Sequence, residues 1–189
     1  MAENILFVFE GEKTERTITD SLLKHFISKG NRVVISSFKT DIYTLYGKIK
    51  KDSDLDAFAL VKENDESLDD FNRDSFSQLF LFFDYDGHSN AANDSKIFEL
   101  LDFFDEETEN GKLFISYPMV EALKCISSIE DSDDFYNHSY KISEGASFKG
   151  YVARFSCKSL IHFNLYDRKT WNDVIRLHCV KANFLLRGD

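Results

Sequence analysis

Residues 5–15 read ILFVFEGEKTE, and the order of their residue types sets the first expectation for the fold. Five apolar residues lead directly into Glu10, a glycine and a dense group of charges, as at the end of a buried strand that turns at a glycine. Residues 79–88, LFLFFDYDGH, have the same design, with an apolar run that ends at Asp84 and Asp86. The two segments therefore predict two buried strands that each end in acidic residues.

Strand-like and helix-like segments alternate along the chain. Continuous apolar runs predict strands, and apolar residues repeated every three or four positions predict helices. The predicted strands are 4–9, 32–38, 78–83 and 112–117, with 57–61 as a candidate extra strand, and the predicted helices are 15–29, 41–51, 91–108, 119–126 and an amphipathic segment near 170–187. This alternation predicts an α/β fold with a mainly parallel sheet flanked by helices. We expect a domain over residues 1–128 and a helical C-terminal extension over 129–189, packed on that domain.

Composition limits the classes of function. The net charge of −10 argues against a freestanding nucleic-acid binder held by phosphate contacts alone. Residues 149–189 contain eight Lys and Arg against three Asp, a local +5, which leaves −15 for residues 1–148. A basic C-terminal segment on an acidic body fits either nucleic-acid binding assisted by a metal or docking of a partner protein, and charge does not choose between them.

The cysteines and the absence of an apolar leader bear on the compartment. Cys125, Cys157 and Cys179 are widely spaced and form no CxxC pair, so the sequence predicts neither a zinc site nor a disulfide framework. The chain begins a strand almost at once, and no apolar run approaches the ~18 residues that span a bilayer. We therefore expect a cytoplasmic protein without a membrane segment.

Acidic residues follow three of the predicted strands. In a parallel sheet the carboxyl ends of the strands share one edge, where ligands bind, so Glu10, Asp84, Asp86 and Glu121 are expected to converge there. Like charges at such short range repel one another, and a hard cation such as Mg²⁺ removes that cost by taking carboxylate oxygens as ligands. The D-x-D spacing lets Asp84 and Asp86 face one ion, because alternate residues of an extended segment point the same way.

Other residues beside the acids are candidates for substrate contact. Gly11 and Gly87 allow close approach of backbone or phosphate. Lys13 is a candidate to neutralise charge on a phosphate, or alternatively a solvent-facing lysine at the start of a helix. His88 is a candidate for substrate contact or proton transfer, or alternatively a loop histidine without a role.

The segments FVFEGEKTE and FLFFDYDGH resemble the two signature motifs of the Toprim domain, and the form EGEKTE with the later SYPMVEAL most resembles its RloB-like and OLD-family members. The resemblance covers about residues 4–125 and implies a compact Rossmann-like sheet. It implies that Glu10, Asp84 and Asp86 bind Mg²⁺ or Mn²⁺, that Glu15 is a further ligand, and that Glu121 matches an acidic residue found after a serine–proline turn.

The resemblance also implies a function. The expected activity is that of a metal-dependent nuclease, a hydrolase that cleaves phosphodiester bonds of DNA or tRNA-like RNA in phage defence. Such proteins often work with an ATPase, and this chain has no GxxxxGK[ST] motif, so a separate ATPase partner is expected, with a homo-oligomer left open. Two alternatives stay open: a non-catalytic Toprim assembly or sensing subunit, and a small-molecule phosphatase of the D-x-D type.

Overall fold

The structure is a computed structural model that describes residues 4–27, 30–52, 54–85, 94–130 and 133–187. These residues fall into two compact units. The first comprises residues 4–16 and 30–119, and the second comprises 17–27 and 120–187. The predicted division of the chain near residue 128 stays a prediction.

The first unit is built on a five-stranded sheet. Its strands are β1 (Asn4–Phe9), β2 (Arg32–Ser37), β3 (Gln78–Asp84), β4 (Asp105–Glu106) and β5 (Gly111–Ser116), in the order β2-β1-β3-β5-β4. The pairs β1–β2, β1–β3 and β3–β5 are parallel, and the short β4 pairs with β5 in antiparallel orientation. The expected α/β architecture with a mainly parallel sheet is therefore confirmed.

Helices cover one face of this sheet. They are α2 (Ile42–Ile49), α3 (Ala57–Lys62) and α4 (Asp94–Phe103). Their apolar residues form one core with alternate residues of β1 and β3, because successive side chains of a strand point to opposite faces. Side chains of Leu6, Val8, Leu81 and Phe83 are at most 1% exposed in this core.

Three sequence predictions in this part of the chain are wrong. Residues 57–61 form helix α3, because the Asp56 side chain accepts the Ala59 N–H at 2.7 Å and starts a helical turn. The helix expected over 91–108 is present as α4, but its predicted end is wrong because the helix stops at Phe103 before β4. Residues 91–93 lie outside the described residues. The segment 119–126 forms a 3₁₀ helix over Val120–Lys124 in place of an α-helix.

The second unit is helical and has its own core. It contains residues 17–27 of α1 (Thr14–Phe26), together with α5 (Asp133–Asn137), α6 (Phe148–Phe155) and α7 (Arg168–Arg187). Trp171 on α7 is 2% exposed and packs parallel to the Phe163 ring at 6.1 Å between ring centroids. Its indole N–H donates to the Ser21 hydroxyl at 2.9 Å, which ties α7 to α1. A helical C-terminal region is therefore present, as predicted.

Candidate functional site

The ends of β1 and β3 bring Glu10 and Asp84 together. These neighbouring strands are parallel, with Phe9 opposite Phe82, so both chains leave the sheet at the same edge. The Glu10 N–H donates to the Phe82 carbonyl at 3.1 Å, which extends the strand pairing by one residue. The Glu10 carboxylate then accepts the Asp84 main-chain N–H at 3.0 Å. This bond fixes the carboxylate at the end of β1 against the first acidic residue at the end of β3.

The contact lies at a distinctive point of the topology. The chain passes from β1 through α1 to β2 on one side, and it later returns to β3 on the other side of β1. In open α/β sheets, ligands bind in the crevice outside the strand ends where the order reverses in this way. The position between β1 and β3 is that crevice, so the fold itself favours a ligand site at Glu10 and Asp84.

Glu15 is folded back over the turn that follows Glu10. A methyl group built on Gly11 would lie 2.7 Å and 2.8 Å from the two carboxylate oxygens of Glu15. Gly11 therefore leaves the space that the Glu15 carboxylate fills, and its φ is not in the left-handed region. Close approach, and not backbone conformation, is the reason for glycine at this position. The Glu15 carboxylate thus lies against Gly11, the residue that follows Glu10 in the chain.

The remaining predicted residues are less fully defined. Asp86, Gly87 and His88 lie outside the described residues. Lys13 precedes α1 and is exposed, so its predicted contact with phosphate stays a prediction.

Glu121 belongs to the second unit and lies in the 3₁₀ helix Val120–Lys124. Its side chain is 13% exposed, with Oε1 3.4 Å from the Lys149 ammonium. Among the described residues, its buried Oε2 atom has no hydrogen-bond partner. A cation would satisfy that oxygen within its own unit, and a joint role with Glu10 stays a prediction.

The donors at the edge of β1 and β3 fit a hard divalent cation. Glu10, Glu15 and Asp84 each carry carboxylate oxygens, the ligand type that Mg²⁺ and Mn²⁺ prefer in proteins. Within the part of the chain that the structure describes, no three His, Cys, Asp or Glu side chains are close enough to hold a metal by themselves. Waters and substrate phosphates normally complete a magnesium site of one or two carboxylates, so the described donors suit that type of site.

Sequence reasoning missed Lys39, which follows β2. Its main-chain N–H donates to the Glu10 carbonyl at 3.1 Å, and the preceding Phe38 N–H donates to the Phe9 carbonyl at 2.8 Å. The end of β2 is thereby joined to the same turn that carries Glu10. The parallel alternation of strands contained this signal, because the carboxyl end of β2 must share an edge with that of β1.

An ion pair adjoins this turn on the side of β2. The Lys39 ammonium lies 2.8 Å from Oε1 of Glu12, and both side chains are half exposed. The hydrogen bond from Lys39 and its positive charge lower the pKa of Glu12, and the same pair raises the pKa of Lys39. Both groups are therefore charged at neutral pH, and a negatively charged ligand that meets Lys39 must compete with Glu12.

Comparison with protein-family models, with curated proteins and with solved structures finds no match to this chain. Among the helices of the described residues, none combines the length and the apolar character that crossing a membrane requires.

Proposed function

We propose that this protein is a Toprim-type nuclease of the RloB-like and OLD-like group, which hydrolyses phosphodiester bonds of DNA or RNA with Mg²⁺ or Mn²⁺. The observation that carries the proposal is the contact between the Glu10 carboxylate and the Asp84 N–H, since it joins the ends of the two strands that bear the motifs. The EGEKTE and DYDG motifs support the proposal by their resemblance to those of this family, and the mainly parallel sheet is compatible with it. The proposed setting is cytoplasmic phage defence with an ATPase partner.

The residues take distinct roles in this proposal. A bound divalent cation would polarise the phosphate and promote attack by water. Glu10 and Asp84 would hold the cation, with Glu15 and Asp86 as further ligands. Because the Asp84 N–H holds Glu10 in one orientation, the site needs little reorganisation before substrate binds. Lys13 at the start of α1 would face the negative charge of the phosphate.

The test is cleavage of plasmid, single-stranded DNA and tRNA by the purified protein, with Mg²⁺, Mn²⁺ or a chelator. Glu10→Gln is the informative variant, because its amide oxygen still accepts the Asp84 N–H while the negative charge is removed. We expect Glu10→Gln and Asp84→Asn to lower the cleavage rate by about 10- to 100-fold or more without unfolding the protein.

Asp70→Asn is the matched control, since Asp70 is an exposed acid in a different part of the first unit. Wild-type cleavage by this control, together with loss in the two site variants, supports the nuclease. Cleavage that survives both Glu10→Gln and Asp84→Asn contradicts it. Absence of cleavage with every substrate, also in the presence of a co-purified ATPase, supports a non-catalytic subunit, and turnover of small phosphate esters alone supports a phosphatase.

A further inference from the structure

A cleft of about 650 Å³ opens beside the candidate metal site, on the side of β2. Its volume is that of a typical small-ligand site. The turn after β1, the end of β2 and residues 64–67 surround it, so every contributing segment belongs to the first unit. Phe9 and Ile35 form the apolar part of its lining, and the rest is polar. The shape and position of the cleft suit a group attached to a ligand that also reaches Glu10.

The cleft contains fixed groups of both charge signs. Its cations are Arg16 and Lys39, and its anions are Glu12, Asp65 and Glu66. Glu12 is paired with Lys39, so a phosphate that meets Lys39 must displace Glu12, whereas Asp65 is held by hydrogen bonds. The Asp65 carboxylate accepts the Ser36 hydroxyl at 2.6 Å and the Ser67 N–H at 3.0 Å. Burial by itself raises the pKa of Asp65, but the hydrogen bonds from Ser36 and Ser67 outweigh it and lower that pKa. Asp65 is therefore an ionised acceptor held in one orientation.

Lys39 adopts a backbone conformation that lysine rarely takes. Its φ is 64°, in the left-handed region where glycine is favoured. Non-glycine residues in this region cluster at binding and catalytic sites, because the surrounding structure must hold them there. Its N–H donates to the Glu10 carbonyl, so this lysine joins the cleft directly to the candidate metal site. The position suggests that the side chain of Lys39 is used by a ligand.

The chemistry of the ligand follows from these groups. A cation in the lining suits a phosphate, and an oriented carboxylate suits a hydroxyl donor, as when an acidic residue binds the ribose hydroxyls of a dinucleotide. A ribonucleotide carries a phosphate and a 2′-hydroxyl a few bonds apart, whereas a deoxyribonucleotide lacks that hydroxyl. The 2′-hydroxyl is also the group by which proteins distinguish RNA from DNA.

We propose that this cleft binds a ribonucleotide of an RNA strand, with Lys39 and Arg16 on its phosphate and Asp65 on its 2′-hydroxyl. This inference rests on the proposed nuclease function and assigns its substrate class as RNA. The adjoining phosphate of the same strand would lie at Glu10 and Asp84.

The test is the binding of fluorescein-labelled RNA and DNA strands of one sequence, measured by anisotropy with the full chain in a chelator at low salt. Asp65→Asn removes the negative charge but keeps a good cap for residues 66–68. Lys39→Asn removes the cation at a position where asparagine tolerates a positive φ. Asp70→Asn is the control, since Asp70 is an exposed acid of the first unit that does not line the cleft.

We expect the wild type to bind RNA about tenfold more tightly than DNA, and Asp65→Asn to lose this preference by weakening RNA binding alone. Lys39→Asn should weaken binding of both strands and reduce the dependence of affinity on salt by about one phosphate contact. Asp70→Asn should bind as the wild type does. Equal binding of RNA and DNA by the wild type, or a preference unchanged in Asp65→Asn, overturns the inference.

The outcome separates this inference from the nuclease proposal. If the protein prefers RNA through Asp65 but cleaves no substrate, the result supports RNA binding in the cleft and contradicts the nuclease proposal. If the protein cleaves DNA in a way that depends on Asp84 but not on Asp65, the result supports the nuclease proposal and contradicts RNA binding in the cleft. Displacement of RNA by micromolar adenosine monophosphate would show a free nucleotide as the ligand and overturn the assignment of a strand.

Discussion

Replacing Gly11 by alanine should move the Glu15 carboxylate and leave the rest of the first unit in place. The added methyl carbon would lie 2.7 Å from the nearest Glu15 oxygen, while ordinary contacts begin at 3.4 Å, so the carboxylate must retreat by about 0.7 Å, the difference between these distances. The group that has to move is the end of a flexible side chain, which makes the shift inexpensive. The backbone of Gly11 adds no strain, because its φ is not in the left-handed region.

The effects of this substitution on stability and on activity should therefore differ. Stability should stay within about 1 kcal/mol of the wild type, since a glycine-to-alanine change at a compatible position stabilises by about 0.4–1 kcal/mol through the unfolded state. Cleavage should fall by about ten- to a hundredfold, because functional groups must be held within about 0.5 Å and a displacement near 1 Å costs up to that factor.

The assays are urea unfolding followed by circular dichroism and the initial rate of Mg²⁺-dependent cleavage. Gly47→Ala is the matched control, because nothing lies within 4 Å of the added methyl group in α2 and only stability should rise. Glu15→Gln should lose as much activity as Gly11→Ala, and the double variant should lose no more, because both changes act on one group. Wild-type cleavage by Gly11→Ala, or additive losses in the double variant, would refute the reasoning.

Three further predictions concern stability. Gly111→Ala should destabilise the protein by about 1–2 kcal/mol, because Gly111 has a φ of 108° and the new methyl group would meet Leu79 at 3.1 Å. We expect a lower midpoint of urea unfolding with an unchanged slope, and an unchanged midpoint would contradict this prediction. Trp171→Phe should lower the free energy of unfolding by about 2–4 kcal/mol, because it leaves a cavity and deprives the Ser21 hydroxyl of its indole donor. The double variant Trp171→Phe/Ser21→Ala should recover part of that free energy, measured by circular dichroism during unfolding. No recovery would contradict the role of the hydrogen bond. His178 should make stability depend on pH: burial lowers its folded pKa below the usual 6.5, so protonation favours the unfolded chain, and the free energy of unfolding should fall as pH falls below 6.5. His178→Gln should flatten that part of the urea-derived stability curve, and an unchanged curve would contradict the assignment.

Strands β1 and β3 were predictable because each contains five consecutive apolar residues. The runs at 5–9 and 79–83 are too long without a polar residue to lie at the surface, and both strands lie inside the sheet. The order of the strands was not predictable in the same way, since apolar runs carry no information on which neighbours pair. The placement of β1 between β2 and β3, which creates the crevice at Glu10, required the structure.

The wrong prediction at 57–61 shows the limit of a short apolar run. Five apolar residues fit a buried strand and a buried helical turn equally well, because all of their side chains face the core in either case. Ala57, Phe58, Leu60 and Val61 are indeed all buried. The cap provided by Asp56 decides for the helix, and a cap is visible in sequence only as an acidic residue before the run.

The candidate site was predictable in part. Convergence of strand-end acids follows from parallel topology, and the structure places the Glu10 carboxylate on the Asp84 N–H in agreement with that geometry. The ligand roles of these residues stay predictions. The position of Lys39 at this edge follows from the parallel strands, but its left-handed conformation was not predictable, because lysine does not signal it. Contacts that depend on one unusual backbone angle require coordinates.

The most direct test of the account is calorimetric titration of Mn²⁺ into the wild type, Glu10→Gln and Asp84→Asn. In our proposal the acids at the ends of β1 and β3 share one cation. We therefore expect saturable binding by the wild type and an affinity at least about tenfold lower in each variant, with Asp70→Asn unchanged. Binding of equal affinity in the wild type and both site variants, or no binding by the wild type, would contradict it.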